Sequence, residues 1–221
     1  MIETSLPDRG ALMTLAAEKL AGALSAGIQE RGWACAALSG GSTPGPAYER
    51  LALLPLDWKH ITFALVDERC VPARDPASNE GLLRRTLGQA LAAGARLVSM
   101  HGEGDADAVY RALHFDVALM GMGEDGHTAS WFPRGDGLQA ALDPGNPRTV
   151  VTARAPQAAG GGARLTLTRA ALDRAERVLL LIAGDAKRAR LAAALTQAIE
   201  DAPVAALFAR PGRPPEVLWA P

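Results

Sequence analysis

Cysteine and lysine are both scarce in this chain, and their scarcity excludes several kinds of chemistry. The only cysteines, Cys35 and Cys70, are too few for a disulfide framework and form no Cys-x-x-Cys motif, so we expect a reducing, cytoplasmic setting. The only lysines are Lys19, Lys59 and Lys187, so each deserves a closer look, although composition alone assigns none of them a role.

The chain also lacks long apolar runs and an excess of either charge. Its histidines are not spaced as metal ligands usually are. No run approaches the ~20 apolar residues of a membrane helix, and we expect no signal peptide because the start MIETSLPDRG has no apolar core. The net charge of −1 argues against a nucleic-acid or membrane partner. The histidines show no His-Glu-x-x-His spacing, so we predict no catalytic metal and no cofactor.

Short apolar runs alternate with helical patterns along the whole chain. The alternation predicts an α/β fold, a doubly wound and mostly parallel sheet with helices on both faces, in a single domain over residues 1–221. Ser5 or Asp8 is expected to cap a first helix at 7–30, with Gly32 as its stop, and Asn79 to cap a helix through 91. Strands are expected at residues 33–38, 61–66, 97–100, 117–120, 149–152, 164–168 and 178–183, with an edge strand at 217–219.

One of these strands ends in a glycine-rich loop of the kind that binds phosphate. Residues 33–38 are followed by Gly40, Gly41, Ser42 and Thr43 and then by a helix start. Glycines let the backbone approach an anion, while N–H groups and hydroxyls donate hydrogen bonds to it. The loop matches neither the Walker nor the Gly-x-Gly-x-x-Gly pattern, and an ordinary glycine turn is an equally good interpretation of it alone.

The strand at 117–120 runs into the sequence GMGEDGH, which makes His127 the strongest catalytic candidate. Three glycines surround Asp125 and His127 at the carboxyl end of a buried strand, where open α/β sheets build their sites. Histidine can accept and return a proton near neutral pH, and Asp125 is close enough to orient the loop or a water. The alternative is a plain strand-to-helix connection with Asp125 as a cap and His127 in the first helical turn.

Charged residues follow two further strands. Asp67 and Arg69 come after the strand at 61–66 and face the predicted crevice, unless they form only a solvated strand end. Lys187 stands in the first turn of a helix after the strand at 178–183, where the helix dipole disfavours a cation and a bound anion would explain it. A solvated surface lysine is the alternative there.

Four separated motifs resemble the 6-phosphogluconolactonases, which share a superfamily with the glucosamine-6-phosphate deaminases. They are LSGGSTP at residues 38–44, VDERCVP at 66–72 with Ser78 and Asn79, GMGEDGHTASWFP at 121–133, and RLTLT at 164–168 with GDAK at 184–187. The resemblance implies a Rossmann-like sheet and hydrolysis of 6-phospho-D-glucono-1,5-lactone in the oxidative pentose phosphate pathway.

The same resemblance assigns roles to individual residues. It implies that His127 is the catalytic base, that residues 40–43 with Arg164 and Lys187 hold the phosphate, and that Asp67 and Arg69 face the substrate. Lactone hydrolysis fits these residue types, because water must lose a proton while the oxyanion is stabilised, here by Arg69 or by loop N–H groups. We expect a small-molecule partner only, and a monomer or small homo-oligomer.

Two other functions are weighed against this one. In the deaminases the fifth residue after the loop histidine is a glutamate that helps open the sugar ring, whereas this chain has Phe132. A non-catalytic sugar-phosphate sensor would need a partner or a DNA-binding domain, and we expect residues 1–32 to form one helix and no helix-turn-helix.

Overall fold

A seven-stranded sheet lies at the centre of the computed structural model, which describes residues 2–154, 162–210 and 212–221. The strands are β1 (Ile2–Ser5), β2 (Ala34–Leu38), β3 (Ile61–Leu65), β4 (Asp67–Arg69), β5 (Arg96–Val98), β6 (Val117–Met120), β7 (Val150–Arg154), β8 (Ala163–Leu167), β9 (Arg177–Ala183) and β10 (Glu216–Ala220). The helices are α1 (Arg9–Arg31), α2 (Gly45–Leu51), α3 (Asn79–Thr86), α4 (Gly88–Ala92), α5 (Ala106–Arg111), α6 (Leu138–Leu142), α7 (Arg169–Asp173) and α8 (Asp185–Ala194), with 3₁₀ turns at Trp58–His60 and Pro203–Ala209.

The central sheet has the order β1-β10-β9-β6-β2-β3-β5, and every neighbouring pair in it is parallel. Its middle strands β2 and β6 are buried along their whole length and consist of small and apolar residues, as expected for strands covered by helices on both faces. The predicted α/β fold is therefore confirmed. Because the strands are parallel, the carboxyl ends of β2, β3, β6 and β9 meet at one edge.

A second, three-stranded antiparallel sheet of order β4-β8-β7 was not anticipated from the sequence. β4 follows β3 after a single residue and pairs with β8, so that Asp67 and Glu68 are buried. The alternative of a solvated strand end at 67–69 is thereby wrong. This sheet places β4 and β8 beside the carboxyl edge of the parallel sheet.

The helix boundaries mostly follow the capping signals. Asp8 caps α1 by accepting a hydrogen bond from Ala11 N at 2.8 Å, and Gly32 ends the helix with φ of 80°. For α3 the predicted cap is wrong by one residue. Ser78 is the cap, through a 3.0 Å bond from Gly81 N to its hydroxyl, and Asn79 is the first helical residue.

The amino-terminal edge of the sheet also differs from expectation. The strand predicted at the edge, now β10, lies between β9 and β1, because residues 2–5 add a further strand outside it. The long helix α1 passes a length-and-composition test for a membrane span, but half of its apolar window is buried and it packs on β2, β10 and α2.

Candidate active site

The carboxyl ends of the central strands and one face of the second sheet enclose a cleft of about 230 Å³. Every predicted site residue except Asp125 lines it, although these residues are spread over almost 150 positions of chain, from Gly40 to Lys187. The lining comprises Ser39, Gly40, Gly41, Ser42, Thr43, Pro44, Asp67, Arg69, Asn79, Met120, Gly121, Met122, Gly123, His127, Ala129, Arg164, Leu181 and Lys187.

His127 is held in a closed loop that begins where β6 ends. Gly123 N donates to His127 O at 2.9 Å, and Gly126 N donates to Gly123 O at 3.1 Å. Gly126 has φ of 88°, which only glycine adopts without strain. No helix starts at this loop, since the next one is α6 at Leu138. The helix-cap interpretation of Asp125 and His127 is therefore wrong.

Asp125 fixes both the backbone and the ring of His127. Its Oδ1 lies 3.0 Å from His127 N and 2.6 Å from His127 Nδ1. An ionised carboxylate only accepts hydrogen bonds, so the proton of the neutral imidazole resides on Nδ1 and the lone pair on Nε2. Within the described part of the chain, Nε2 has no hydrogen-bond partner, which leaves it available as a base.

The charge state of Asp125 suits this orienting role. Burial acts to raise the pKa of Asp125, but the hydrogen bonds from the ring and backbone of His127 outweigh it, and the net effect is a pKa below the usual value. Asp125 is thus a carboxylate throughout the range in which a histidine changes charge.

Gly123 is required by the position of the imidazole. A Cβ on this residue would lie 2.1 Å from Cε1 and 2.2 Å from Nδ1 of His127, far closer than atoms can approach. The ring therefore packs directly on the backbone of the loop.

Phe132 contacts both His127 and a cationic residue of the cleft, Arg164. Its ring centroid lies 4.6 Å from that of His127, and the guanidinium carbon of Arg164 is 5.2 Å from the Phe132 centroid. Stacking and cation–π contacts of this kind restrain both neighbours. Phe132 cannot move a proton, unlike the glutamate expected at this position in a deaminase.

Asp67 lines the cleft but is largely buried, and each of its carboxylate oxygens accepts a hydrogen bond. The Ser130 hydroxyl donates to one of its oxygens, and Asn79 Nδ2 donates to the other at 3.1 Å and to the Asp67 carbonyl at 2.8 Å. Burial raises the pKa of Asp67, while Ser130 and the guanidinium groups of Arg69 and Arg164 act in the opposite direction.

Arg69 and Arg164 are direct cross-strand partners in the β4–β8 pair. Like charges in this relation destabilise a sheet, and burial, followed by the charge of Arg69, lowers the pKa of Arg164. The negative charges of Asp67 and Glu68 act in the opposite direction, to raise the pKa of Arg164. Guanidinium groups in this arrangement are suited to bind a phosphate.

Lys187 and the loop at 40–43 complete the cationic side. Lys187 extends from the first turn of α8 and donates to Met122 O at 2.7 Å, so it is not a solvated surface lysine. Gly40 lies so close to Asn79 that a Cβ there would be 1.8 Å from Asn79 Oδ1. Gly41 has φ of 93°. The two glycines are therefore needed for the loop to lie where it does.

Three residues that contact Asp67 or Asp125 have no predicted role in the cleft. They are Asn79, which is expected only as a helix cap, Ser130 and Arg190. Ser78 and Asn79 do occur among the motifs, so a signal for Asn79 existed, but a lone polar residue on a helix, such as Arg190, gives none. Across the described residues, no group of three or more histidine, cysteine or acidic side chains is arranged to hold a metal ion.

Comparison with known proteins defines the class to which this fold and cleft belong. The chain belongs to the family of glucosamine-6-phosphate isomerases and 6-phosphogluconolactonases, whose family model matches residues 7–219.

Within that family, the relatives it resembles are named 6-phosphogluconolactonase. One from Mesorhizobium japonicum is 40% identical, covering 98% of this chain and 94% of the relative. One from Pseudomonas aeruginosa is 43% identical over 85% of this chain and 81% of the relative. Among solved structures, a 6-phosphogluconolactonase from Shewanella baltica has a TM-score of 0.92 at 31% identity and covers 100% of this chain and 98% of that one.

The fold is shared more widely than the activity. A monomeric glucosamine-6-phosphate deaminase covers 100% of this chain and 97% of its own with a TM-score of 0.77, but at only 20% identity. That likeness concerns the fold alone.

Proposed function

We propose that this chain hydrolyses 6-phospho-D-glucono-1,5-lactone to 6-phospho-D-gluconate, a step of the oxidative pentose phosphate pathway, with His127 as general base. The observation that carries the proposal is the 2.6 Å contact between Asp125 and His127, because His127 lines the same cleft as Arg69, Arg164 and Lys187. A proton acceptor and an anion-binding surface are the two elements that hydrolysis of a phosphorylated lactone needs.

The reaction proceeds by attack of water on the lactone carbonyl carbon. Nε2 of His127 takes a proton from the water as the new C–O bond forms, and Asp125 stabilises the resulting imidazolium through Nδ1–H. The tetrahedral intermediate then collapses, the ring C–O bond breaks, and the ring oxygen receives the proton from Nε2. Either Arg69 or loop N–H groups stabilise the oxyanion.

The cationic side of the cleft orients the substrate. We assign the phosphate to the loop at 40–43, Arg164 and Lys187, which lets binding energy from a non-reacting group hold the carbonyl near His127. Asp67 is buried and accepts a hydrogen bond on each carboxylate oxygen, from Asn79 and from Ser130. We assign it an electrostatic role, because its charge acts on Arg69 and Arg164.

The site lacks the acidic residue that the deaminase alternative would need to open the sugar ring. Phe132, which stacks on His127, carries no proton, and so the ring-opening step of an amino sugar has no donor at that position. A sugar-phosphate sensor would bind the ligand without turnover. We expect the enzyme to act on its small-molecule substrate in the cytoplasm as a single domain, without cofactor, nucleic acid or membrane.

A direct assay distinguishes the three functions. The lactone is generated in place from glucose 6-phosphate and acid release is followed, with spontaneous hydrolysis subtracted, while ammonia release from glucosamine 6-phosphate is measured in parallel. We expect acid release well above the spontaneous rate and no ammonia. Ammonia release would support the deaminase, and binding of the sugar phosphate without turnover would support the sensor.

A further inference from the structure

A partly buried arginine on α8 contacts the catalytic loop from outside the cleft. Arg190 Nη2 donates to the carbonyl of Asp125 at 2.6 Å, and Nη1 donates to Gln197 Oε1 at 2.9 Å. Arg190 does not line the cleft. It therefore contacts the backbone of Asp125, the residue whose side chain orients the His127 ring.

The guanidinium group is also packed against the turn of the loop. A Cβ on Gly126 would lie 2.7 Å from Arg190 Nη2 and 3.1 Å from its Cζ, so the group fits only because residue 126 is a glycine. At the next peptide of the loop, Val204 N donates to Gly126 O at 3.0 Å. The turn at 125–126 is thus held from α8 and from the 3₁₀ turn at Pro203–Ala209.

The same helix contacts the other end of the loop. Lys187, one turn earlier on α8, donates to Met122 O at 2.7 Å and lines the cleft. Residues three apart on a helix lie on the same face. One face of α8 therefore holds both ends of the segment 122–126, and the end that carries Asp125 is held by Arg190.

We propose that Arg190 is a positioning residue for the general base, acting through the Asp125 peptide to fix the His127 imidazole in its Nδ1–H form. The proposal rests on the proposed function for its kinetic consequence. Its structural consequence, the orientation of the ring, is independent of which reaction the cleft performs.

The experiment compares Arg190→Ala with Arg190→Lys and with Arg188→Ala. Arg188 lies on the same helix, pairs with Glu3 and stacks on Trp219 at 4.2 Å, outside the site, so its variant controls for loss of an α8 arginine. We expect Arg190→Ala to lower kcat for the lactone about tenfold with KM within about twofold, because one charge-assisted hydrogen bond to the loop is lost. Arg190→Lys is expected to recover part of kcat, and Arg188→Ala to resemble wild type.

Long-range ¹H–¹⁵N NMR spectra of the imidazoles supply a readout that loss of stability alone does not change. At alkaline pH, wild type and Arg188→Ala should show one His127 tautomer, protonated on Nδ1, and folded Arg190→Ala should show a mixture of both. An Arg190→Ala protein with wild-type kcat and a single Nδ1–H tautomer would overturn the proposal. If the wild type fails to hydrolyse the lactone, the proposed function fails, and the NMR comparison still decides the role of Arg190.

Discussion

The two walls of the cleft hold their charged groups in opposite ways. On the loop after β6, which forms one wall, His127 is half-buried and Asp125 is exposed, and their side chains bond chiefly to each other. On the wall formed by β4 and β8, Asp67 and Arg164 are buried and lie on paired strands. Proton transfer needs access to water, whereas binding of a phosphate needs charges that stay fixed.

The two carboxylates of these walls illustrate the difference. Hydrogen bonds from His127 bring the pKa of Asp125 below its usual value in spite of partial burial, whereas burial raises the pKa of Asp67 in spite of Ser130 and two arginines. Environments that shift two acids apart assign them different roles. In the proposed function, Asp125 orients a base that is exposed to solvent, and Asp67 belongs to the binding surface.

The largest expected effect is a loss of turnover when His127, on the loop after β6, is replaced. Replacing His127 by asparagine keeps a polar side chain of similar size but removes the proton acceptor, so kcat should fall by about 10²–10⁴-fold with KM little changed. Steady-state kinetics with the spontaneous rate subtracted measure both constants. Near wild-type kcat would transfer the role of base to Asp125 or Asp67.

A smaller loss of turnover is expected when the ring is displaced but not removed. The Cβ of Gly123→Ala would occupy the place of the imidazole, and a displacement of about 1 Å can reduce turnover by about 10²-fold. Gly121→Ala is the comparison, because its Cβ would meet only Ser39 Oγ at 3.9 Å. Equal losses of kcat in the two variants would show that ring placement is not the cause.

The cationic side of the cleft should respond in KM. In the proposed function, Lys187→Ala removes one charge-assisted contact to the phosphate, which we expect to weaken binding by roughly 1.5–3 kcal/mol and so to raise KM. Lys59→Ala, an exposed lysine outside the cleft, is the matched control. An unchanged KM in Lys187→Ala would remove this residue from the phosphate site.

The smallest expected effect on turnover is that of replacing Phe132, which contacts both His127 and Arg164. Phe132→Leu loses the stacking on His127 and the cation–π contact with Arg164, and should lower the free energy of unfolding by roughly 1–2 kcal/mol. Thermal unfolding monitored by circular dichroism tests this value. Turnover of the folded variant should fall less than in Gly123→Ala, and the reverse ranking would make Phe132 more than a packing residue.

The parallel sheet and the position of His127 and residues 40–43 at its carboxyl edge could be predicted from local sequence pattern, whereas Arg164 was expected at the site only from the family resemblance. β6 was predicted to the residue, as an apolar run bounded by a charge and a glycine. The pairing of β4 with β8 joins residues almost a hundred positions apart, and three charged residues in a row give no strand signal. β1 was missed for a related reason, because its four residues include only one large apolar side chain, Ile2, which is exposed.

The hydrogen bonds within the site were harder to predict than the residues that line it. Strand ends and glycines placed His127 and residues 40–43 in the cleft, but the bonds of Asn79, Ser130 and Arg190 to Asp67 and Asp125 arise only from tertiary packing. The predicted glycine-rich segment 156–162 lies, except for Gly162, outside the described residues.

The central claim, that His127 acts as the base and Asp125 orients it, is tested most directly by comparing two titrations of the unmodified protein. The pH dependence of kcat/KM reports the essential groups of the free enzyme, and NMR reports the protonation of His127, assigned by the missing resonance in His127→Asn. Since the pKa of Asp125 lies below its usual value, Asp125 does not titrate in the same range. We predict that kcat/KM, corrected for spontaneous hydrolysis, falls with decreasing pH at the same midpoint at which the His127 imidazole gains its proton. A kinetic midpoint that follows no change in the His127 resonances would contradict the account.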